Sequence, residues 1–408
     1  MREIETKAAL AILSRSSTSL KPLVAIACGG TGGHLFPGVA VGEQLLLRGC
    51  DVTLLVSPKE VDQQAVKSAT GMGVATLPAV GMTRGKLLSF VAGFWKSYRA
   101  AKKLFRGRTP QAVLAMGGFT SAPPVIAGRA CGAATFLHES NTIPGKANRW
   151  LAHFVDQAFV GFPTAGARLR HKNVLCTGTP VRPQFTPGDV ASRRVALGLA
   201  PDRPVLLVTG GSQGASGVND LVLQAVPALL KAVPTLQFLH LTGSNDFEKV
   251  RAGYAAQQAK AVVQPVLTEM DLALGSADVA VSRAGASSMA ELAAMRLPSV
   301  LIPYPIAADN HQLHNANAFV ATGAAHLLEQ RGATGDVLAA KLIPLLTDSA
   351  ARTAMQAALE SWHHADAAEV IAEKMIALME ASYGGRWRRT EKPNESGFRV
   401  LRLAVPNA

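Results

Sequence analysis

A short apolar segment that runs into a glycine-rich turn and then into a helix is the feature that most constrains this chain. Residues 23–38 read LVAIACGGTGGHLFPG, which predicts a buried strand, a turn with four glycines, and a helix from Pro37 to Leu47. This order predicts the first unit of an α/β sheet. Glycines let backbone N–H groups approach a ligand closely, and a helix start adds a positive dipole end. We therefore expect an anionic or oxygen-rich ligand at this turn.

Two other interpretations of the turn remain open from the residues alone. The glycines are also compatible with a tight corner that binds nothing. A nicotinamide site is disfavoured, because the spacing is not G-x-G-x-x-G and the nearby acid, Asp51, opens the second predicted strand instead of ending it.

The same pattern returns in the second half, where PVLLVTGGSQGASGVNDLV (204–222) again reads as strand, glycine turn and helix. With 408 residues, 48% of them hydrophobic, the chain is long enough for two large cores. We predict two doubly wound, parallel-sheet α/β domains joined by the Pro-rich and charged segment 181–204. The predicted segments are an N-terminal extension (1–22), a first domain (23–185), a second domain (186–366), a C-terminal helix that packs back on the first domain (367–383) and a basic tail (384–408).

Local sequence also bears on the cellular compartment. The first 22 residues mix acids with bases and make a poor signal peptide, and no apolar run approaches the ~18 residues of a membrane span. The four cysteines form no C-x-x-C pair, so we expect buried, reduced thiols in a cytosolic protein.

Positive charge is concentrated in the first half. Residues 1–187 hold 22 Lys/Arg against 8 Asp/Glu, and residues 81–108 contain eight bases without an acid. The helix predicted there either faces the core with a solvated basic side, or lies on a membrane with apolar side chains in lipid and bases on anionic headgroups. Nucleic acid is disfavoured, because no recognised reader motif accompanies the stripe. The predicted membrane patch comprises Leu87, Phe90, Phe94, Trp95, Lys96, Arg99, Lys102 and Lys103.

The second half holds a candidate nucleoside diphosphate site in SRAGASSMAE (282–291). A helix start with glycine and hydroxyl residues after a strand suits phosphate, Arg283 is placed to neutralise it, and the Glu291 carboxylate can accept both hydroxyls of a ribose. Ser212 in the GGSQG turn is predicted to face the same phosphates. The alternative is a capping box, because Glu291 lies three residues after Ser288.

Six motifs in order carry a resemblance to a known family: GGTGGHLFPG, LHESN, TGTPVR, GGSQGA, SRAGASSMAE and DNHQ. Over about residues 23–330 the chain resembles the MurG family of glycosyltransferases, which move N-acetylglucosamine from UDP onto lipid I in peptidoglycan synthesis. The resemblance implies a GT-B fold, in which two Rossmann-like domains enclose a cleft, and an inverting, metal-independent transfer without a cofactor. The absence of a D-x-D triplet agrees with this.

The resemblance also implies site residues. The positions that correspond to donor binding are Thr31, Gly32, Gly33, Asn141, Arg182, Ser212, Leu267, Arg283, Ala286, Ser287, Ser288, Met289, Ala290, Glu291 and Gln312. The helix at 84–108 corresponds to a membrane-contacting patch. The implied partners are UDP-GlcNAc, undecaprenyl-linked lipid I, an anionic membrane surface on its cytoplasmic face, and other cell-wall synthesis proteins.

Transfer requires a base for the acceptor hydroxyl. His34, at the first glycine turn, is the candidate, since an unperturbed imidazole titrates near ~6.5; a neutral His34 that only orients the acceptor is the alternative. His138 and Glu139 are rivals, or hold the acceptor's diphosphate and muramyl groups. The chain departs from the family at Phe119 and Ser140, both on the acceptor side. A diacylglycerol acceptor, another UDP-sugar and a non-catalytic nucleotide-sugar binder are the competing functions.

Overall fold

The structure is a computed structural model, and it describes residues 21–29, 32–59, 69–78, 87–211 and 213–383. Residues 1–20, the basic tail 384–408, Thr31 and Ser212 lie outside the described residues. Thirteen strands are described: β1 (Leu23–Ala27), β2 (Asp51–Val56), β3 (Gly73–Thr76), β4 (Ala112–Ala115), β5 (Ala134–Glu139), β6 (Gln157–Val160), β7 (Val174–Cys176), β8 (Val205–Thr209), β9 (Gln237–Leu241), β10 (Lys260–Gln264), β11 (Val279–Ser282), β12 (Ser299–Leu301) and β13 (His326–Leu327).

Fourteen α-helices connect or follow these strands within the described ranges. They are α1 (Gly32–Leu47), α2 (Leu87–Gly107), α3 (Ala122–Ala130), α4 (Lys146–Leu151), α5 (Pro163–Leu169), α6 (Val190–Ala196), α7 (Ser216–Ala232), α8 (Phe247–Ala256), α9 (Met270–Ser276), α10 (Ala286–Ala294), α11 (His311–Val320), α12 (Gly335–Thr347), α13 (Ser349–Glu360) and α14 (Ala367–Tyr383). A 3₁₀ turn, Ala308–Asn310, precedes α11.

The strands form two parallel sheets in the described chain, ordered β3-β2-β1-β4-β5-β6-β7 and β10-β9-β8-β11-β12-β13. β1 and β8 are buried at every position, because helices cover both faces of each sheet. In both sheets the strand order reverses beside the first strand, β1 or β8. The carboxyl ends of strands at such a reversal are where open α/β sheets bind ligands. The predicted doubly wound α/β class is confirmed.

Several predicted elements differ in detail. The first helix begins at Gly32, not Pro37, and holds Pro37 in its second turn. Because proline has no N–H, the Gly33 carbonyl four residues earlier lacks its usual helical donor. The predicted link 181–204 contains α6, whose first N–H groups are capped by the Asp189 side chain. β10 and β13 are not predicted from the sequence, because β10 is a half-buried strand at the sheet edge and β13 has only two residues.

The last helix returns to the first domain. Ile371, Met375 and Met379 of α14 are buried in the same core as Val24 and Ile26 of β1. On the exposed side of this contact, Arg48, directly after α1, pairs with Glu369 at 2.6 Å. The chain therefore crosses between the domains twice, once before α6 and once before α14.

An aromatic cluster marks the second crossing. The Trp362 ring stacks on Phe319 of α11 at 4.5 Å between ring centroids, and lies 5.4 Å from Phe162 of the first domain. The Trp362 indole N–H donates to Thr322 Oγ1 at 2.8 Å. These contacts join α11 to the first domain at one end of the interdomain interface.

Thiol burial differs from the expectation. Cys28 and Cys50 are buried, whereas Cys131 is half-buried and Cys176 is exposed. None of the helices described is both long and apolar enough to cross a membrane. The same residues contain no group of three or more His, Cys, Asp or Glu side chains that could hold a metal ion.

Candidate functional site

The two glycine turns of the first domain lie side by side at the carboxyl ends of β1 and β4. The Thr120 hydroxyl, after the second turn, donates to the Gly29 carbonyl of the first at 2.6 Å. The half-buried His34 ring covers Gly117, where a Cβ atom would come within 2.6 Å of Cε1. Gly117 also has φ +123°, which disfavours any other residue. The second glycine turn therefore makes room for the imidazole.

His138 does not reach the cleft. Its side chain is fully buried, with Nε2 3.0 Å from the Gly178 carbonyl and Nδ1 3.2 Å from Ser140 Oγ. Burial lowers its pKa, more than the Gly178 carbonyl and Glu139 raise it. The prediction of His138 as a rival base is therefore wrong for this structure: the ring is an interior hydrogen-bonding group.

Glu139 is likewise occupied in the interior, at 3% exposure. One carboxylate oxygen accepts from Asn141 N at 2.9 Å and Nδ2 at 3.0 Å, and the other from Gly145 N and Asn148 Nδ2, both at 2.9 Å. With four donors around it, the carboxylate holds the loop after β5 in shape. The prediction of Glu139 as a base or acceptor contact is corrected to this role.

The start of α10 faces the first glycine turn across the cleft. The Ser287 hydroxyl donates to the Gly33 carbonyl at 2.7 Å, which joins the two domains at this point. The helix begins at Ala286 with Gly285 as its N-cap, and its side chains make no capping hydrogen bond. The capping-box interpretation is therefore wrong, because Ser288 is already inside the first turn.

Side chains of α10 divide between the cleft and the core. Met289 is fully buried in the second core and Ala286 nearly so, which leaves their backbone as the part that can meet a donor. Ser288, Ala290 and Glu291 are half-buried. The free N–H groups of the first turn and the dipole together suit an anion such as a diphosphate.

The positive charge of one arginine, Arg182, acts on two carboxylates, one from each domain. The Arg182 guanidinium lies over the Phe36 ring at 4.4 Å, and its buried Nε has no hydrogen-bond partner in the described structure. Burial raises the pKa of Glu291 to about 7, and the positive charge of Arg182 opposes the rise. The pKa of Glu43 is raised by burial and opposed by Arg182 in the same way. The site therefore holds a carboxylate that titrates near neutral pH beside a guanidinium.

Arg283 points into the second domain. Its Nη1 donates to the Ile302 and Pro303 carbonyls, both at 3.0 Å, and its Nη2 to Gln330 Oε1 at 2.8 Å. These bonds fix the segment after β12 against the loop before α10. The arrangement favours a structural role over the predicted contact with a diphosphate.

Asn315 on α11 joins the domains in the interior. Its Oδ1 accepts from the N and Oγ1 of Thr142, both at 2.9 Å. Its Nδ2 donates to Asn141 Oδ1 at 3.0 Å and to the Ala284 carbonyl at 3.2 Å. Asn315 is not among the site residues predicted from the sequence, although it follows Gln312 by three positions and so shares its helix face. We call these contacts the Asn315 clasp.

The remaining donor positions lie around the cleft of the second domain. Gln312 Oε1 accepts from Tyr304 N at 2.9 Å, and the half-buried Leu267 packs on the second core after β10. Gly32 and Gly33 form the start of α1, and Gly33 is exposed. Thr31 and Ser212 cannot be placed, because they lie outside the described residues.

The apolar side chains of α2 face in two directions. Phe90 packs edge-on to Phe119 at 5.3 Å and Phe94 to Trp150 at 6.1 Å, so both anchor the helix to its domain. The exposed large apolar side chains are Leu88 at 87%, Val91 at 43% and Trp95 at 53% near the start of the helix, and Leu104 at 40% near its end. Phe90 and Phe94 of the predicted patch therefore pack against the first domain, whereas Leu88 and Val91 lie on the exposed side of the helix. The basic members of the predicted patch are the exposed Lys96, Arg99 and Lys103 and the half-buried Lys102.

Matches to known protein families assign the chain to a family. Residues 24–160 match the glycosyltransferase family 28 N-terminal domain, and residues 205–371 match the C-terminal domain of the same family. The chain belongs to glycosyltransferase family 28. The resemblance seen in the six motifs is thereby confirmed.

Family 28 relatives match over nearly the whole chain. A protein of Citrifermentans bemidjiense is 36% identical over 86% of this chain and 98% of its own length. One of Xanthomonas campestris pv. campestris is 36% identical over 94% of this chain and 88% of its own length. Both are named UDP-N-acetylglucosamine–N-acetylmuramyl-(pentapeptide) pyrophosphoryl-undecaprenol N-acetylglucosamine transferase.

Solved structures agree on the fold. The crystal structure of Acinetobacter baumannii MurG matches with a TM-score of 0.67 and 26% identity, covering 88% of this chain and 99% of that one. A UDP-N-acetylglucosamine 2-epimerase from Listeria monocytogenes has a TM-score of 0.64 at 15% identity over 91% of this chain and 98% of its own, and shares the fold alone. The predicted GT-B architecture is confirmed.

Proposed function

We propose that this family 28 chain transfers N-acetylglucosamine from UDP-GlcNAc to the 4-hydroxyl of the muramyl sugar of lipid I, which yields lipid II for peptidoglycan synthesis. The observation that carries the proposal is the hydrogen bond between Ser287 and Gly33. It brings an anion-binding helix start of one domain against the turn that holds His34 in the other. Relatives that match most of the chain bear the name of this transferase.

The donor is held from the second domain. The N–H groups at the start of α10 bind the diphosphate of UDP, and the helix dipole stabilises the charge that UDP gains as it departs. The Glu291 carboxylate accepts the ribose hydroxyls. Gln312 lies at the start of α11, where it contacts the sugar. The protein groups thus supply the stabilisation of the leaving group in an inverting, metal-independent transfer.

The acceptor enters from the first domain. The His34 ring, packed on Gly117 beside the cleft, takes the proton of the 4-hydroxyl as that oxygen attacks C1 of the donor sugar. Attack from the face opposite UDP inverts the anomeric centre. His138 and Glu139 of β5, the rival candidates, are buried, which supports the choice of His34 as the base.

The surface of α2 suits a peripheral place on the membrane. The exposed side chains of Leu88, Val91 and Trp95 and the neighbouring bases form an interfacial surface that meets anionic lipid at the cytoplasmic face. This location brings the cleft to an acceptor whose lipid tail stays in the bilayer. Other cell-wall synthesis proteins act on the same lipid-linked sugars and are the partners expected there.

The test is a panel of donors and acceptors with product analysis. The enzyme is given UDP-GlcNAc, UDP-GalNAc or UDP-glucose, each with a short-chain lipid I analogue or with diacylglycerol vesicles. The proposal predicts turnover of UDP-GlcNAc with the lipid I analogue, and a β-linked disaccharide by NMR. A preference for diacylglycerol, or an α-linked product, contradicts it.

A further inference from the structure

A basic groove of about 730 Å³ lies outside the residues assigned to the donor, the base and the membrane. Its walls are α4 and α5 of the first domain and the side of α11 in the second. The side chains that line it include the exposed Arg149, Arg168 and Arg170 and the exposed His153 and His314, with no carboxylate among the lining residues. We call it the α4–α5 groove.

The arginines of the groove keep most of their donors available. Arg168 uses one N–H, which donates to the Thr142 carbonyl at 3.4 Å. Arg170 makes no hydrogen bond or ion pair with the part of the chain that the structure describes. Arg149 pairs with Asp309 at 3.0 Å, so its charge is partly balanced. Two planar guanidinium groups with available N–H donors can each bind a carboxylate through paired hydrogen bonds.

The position of the groove relates it to the cleft. The ion pair between Arg149 and Asp309 lies at the turn that leads directly into Gln312, where the donor sugar is expected. The next residue of α4, Trp150, is exposed and contacts Phe94 of the membrane-facing helix. The groove therefore lies between the reaction cleft and the surface expected to meet lipid.

We propose that the α4–α5 groove binds the peptide of the acceptor through its carboxylate groups; this rests on the function proposed above. A lipid-linked muramyl pentapeptide has three parts to place: the sugar in the cleft, the lipid in the membrane, and the peptide. A pentapeptide spans up to roughly 17 Å, which lets it leave the cleft past Asp309. Its free carboxyl terminus is negatively charged and can accept paired hydrogen bonds from the guanidinium groups of Arg168 and Arg170.

The experiment compares the full chain with the double variant Arg168→Gln/Arg170→Gln, and with Lys172→Gln as a control that removes a nearby exposed charge outside the groove. Two short-chain lipid I analogues are used, one with a free peptide carboxyl terminus and one with a carboxamide. The double variant is expected to raise KM for the free-carboxylate acceptor about tenfold, with kcat and the KM for UDP-GlcNAc unchanged. The wild type is expected to show the same loss for the carboxamide, and the double variant no further loss.

Three results would overturn the inference: an unchanged KM in the double variant, an equal loss for both acceptors, or a loss confined to binding of phosphatidylglycerol vesicles, which would make the groove a lipid headgroup site. Failure of the proposed function is recognised separately, because the wild type then releases no UDP with either analogue. In that case calorimetric binding of the free pentapeptide to the wild type, and its loss in the double variant, still decides the groove.

Discussion

The position of the His34 ring depends on Gly117, a residue without a side chain. The ring rests on Gly117, and the room it needs is the space that a Cβ atom would take. A base must stay within hydrogen-bonding reach of the acceptor hydroxyl, so a shift of about 1 Å is enough to reduce turnover.

We predict that Gly117→Ala lowers kcat toward the level of His34→Ala while leaving the KM for UDP-GlcNAc nearly unchanged. A Cβ atom there would lie 2.7 Å from Nδ1 of His34 and would displace the ring. Steady-state kinetics measure the effect. Gly132→Ala is the control, because Gly132 also has a positive φ, +83°, but has open space around it. Near-normal turnover in a folded His34→Ala enzyme would rule out the base.

Glu291 gives a pH dependence of known sign. Its pKa in the folded chain, about 7, exceeds the ordinary 4.5, so the folded protein binds more protons between these values. Stability therefore falls as the pH rises through this window, by at most about 1.4 kcal/mol per unit. The affinity for the ribose depends on pH in the opposite direction and increases as the pH rises, because only the ionised carboxylate accepts hydrogen bonds from both hydroxyls.

We predict that the KM for UDP-GlcNAc falls as the pH rises from about 6 to about 8, and that Glu291→Gln raises this KM and flattens its pH profile. Initial rates across this pH range measure the change in KM, and denaturant titrations measure the change in folding stability. Glu329→Gln, at an exposed position, is the control. A profile of the same shape in Glu291→Gln would assign the titration to another group.

At the scale of elements, α11 ties the two domains together. Its first turn carries Gln312, its middle the Asn315 clasp, and its end Phe319 under Trp362. All three lie on one helix face, so the helix sets the distance between donor and acceptor sides of the cleft.

We predict that Asn315→Ala destabilises the chain by about 2–3 kcal/mol, because it leaves buried groups of Thr142 and Ala284 without partners. The same change raises the KM for UDP-GlcNAc, since Asn141, a predicted donor-binding position, loses the hydrogen bond from Asn315 Nδ2. Chemical denaturation and kinetics measure the two effects. Asn317→Ala, exposed on the same helix, is the control and should change neither. Equal behaviour of the two variants would contradict the clasp.

Local elements were predictable from the sequence, and contacts between elements were not. Each glycine turn and the helix start after Ser282 follow from short strand–turn–helix patterns. The hydrogen bond between Ser287 and Gly33 joins the two domains, and no local pattern predicts it. The burial of His138 and Glu139 depends on the loops that fold over β5, and their residue types alone do not show it. The Asn315 clasp depends on how the two domains meet, which no local pattern encodes. On α2, helical spacing predicted an apolar stripe but not which side of it packs against Phe119 and Trp150.

At the scale of the whole molecule, charge and apolar surface occupy the same helix of the first domain. Leu88, Val91 and Trp95 are exposed on α2, and Lys96, Arg99 and Lys103 follow them. Burial of apolar side chains and attraction to anionic headgroups together hold such a surface on a membrane.

We predict that Leu88→Ser/Val91→Ser/Trp95→Ser lowers binding to phosphatidylglycerol vesicles about tenfold or more, while activity on a soluble short-chain acceptor stays near normal. Vesicle sedimentation at low and high salt measures the change, and salt should weaken what remains. The control is Leu47→Ser/Val195→Ser, which replaces exposed apolar residues elsewhere. Undiminished vesicle binding would show that α2 is not the membrane surface.

The most direct test of the proposed transfer is the release of UDP from UDP-GlcNAc in EDTA, with and without a short-chain lipid I analogue. We predict release that depends on the acceptor and continues in the chelator, since the helix start of α10 and its neighbours stabilise the departing UDP. Tight binding of UDP with no release on addition of the acceptor would contradict the account.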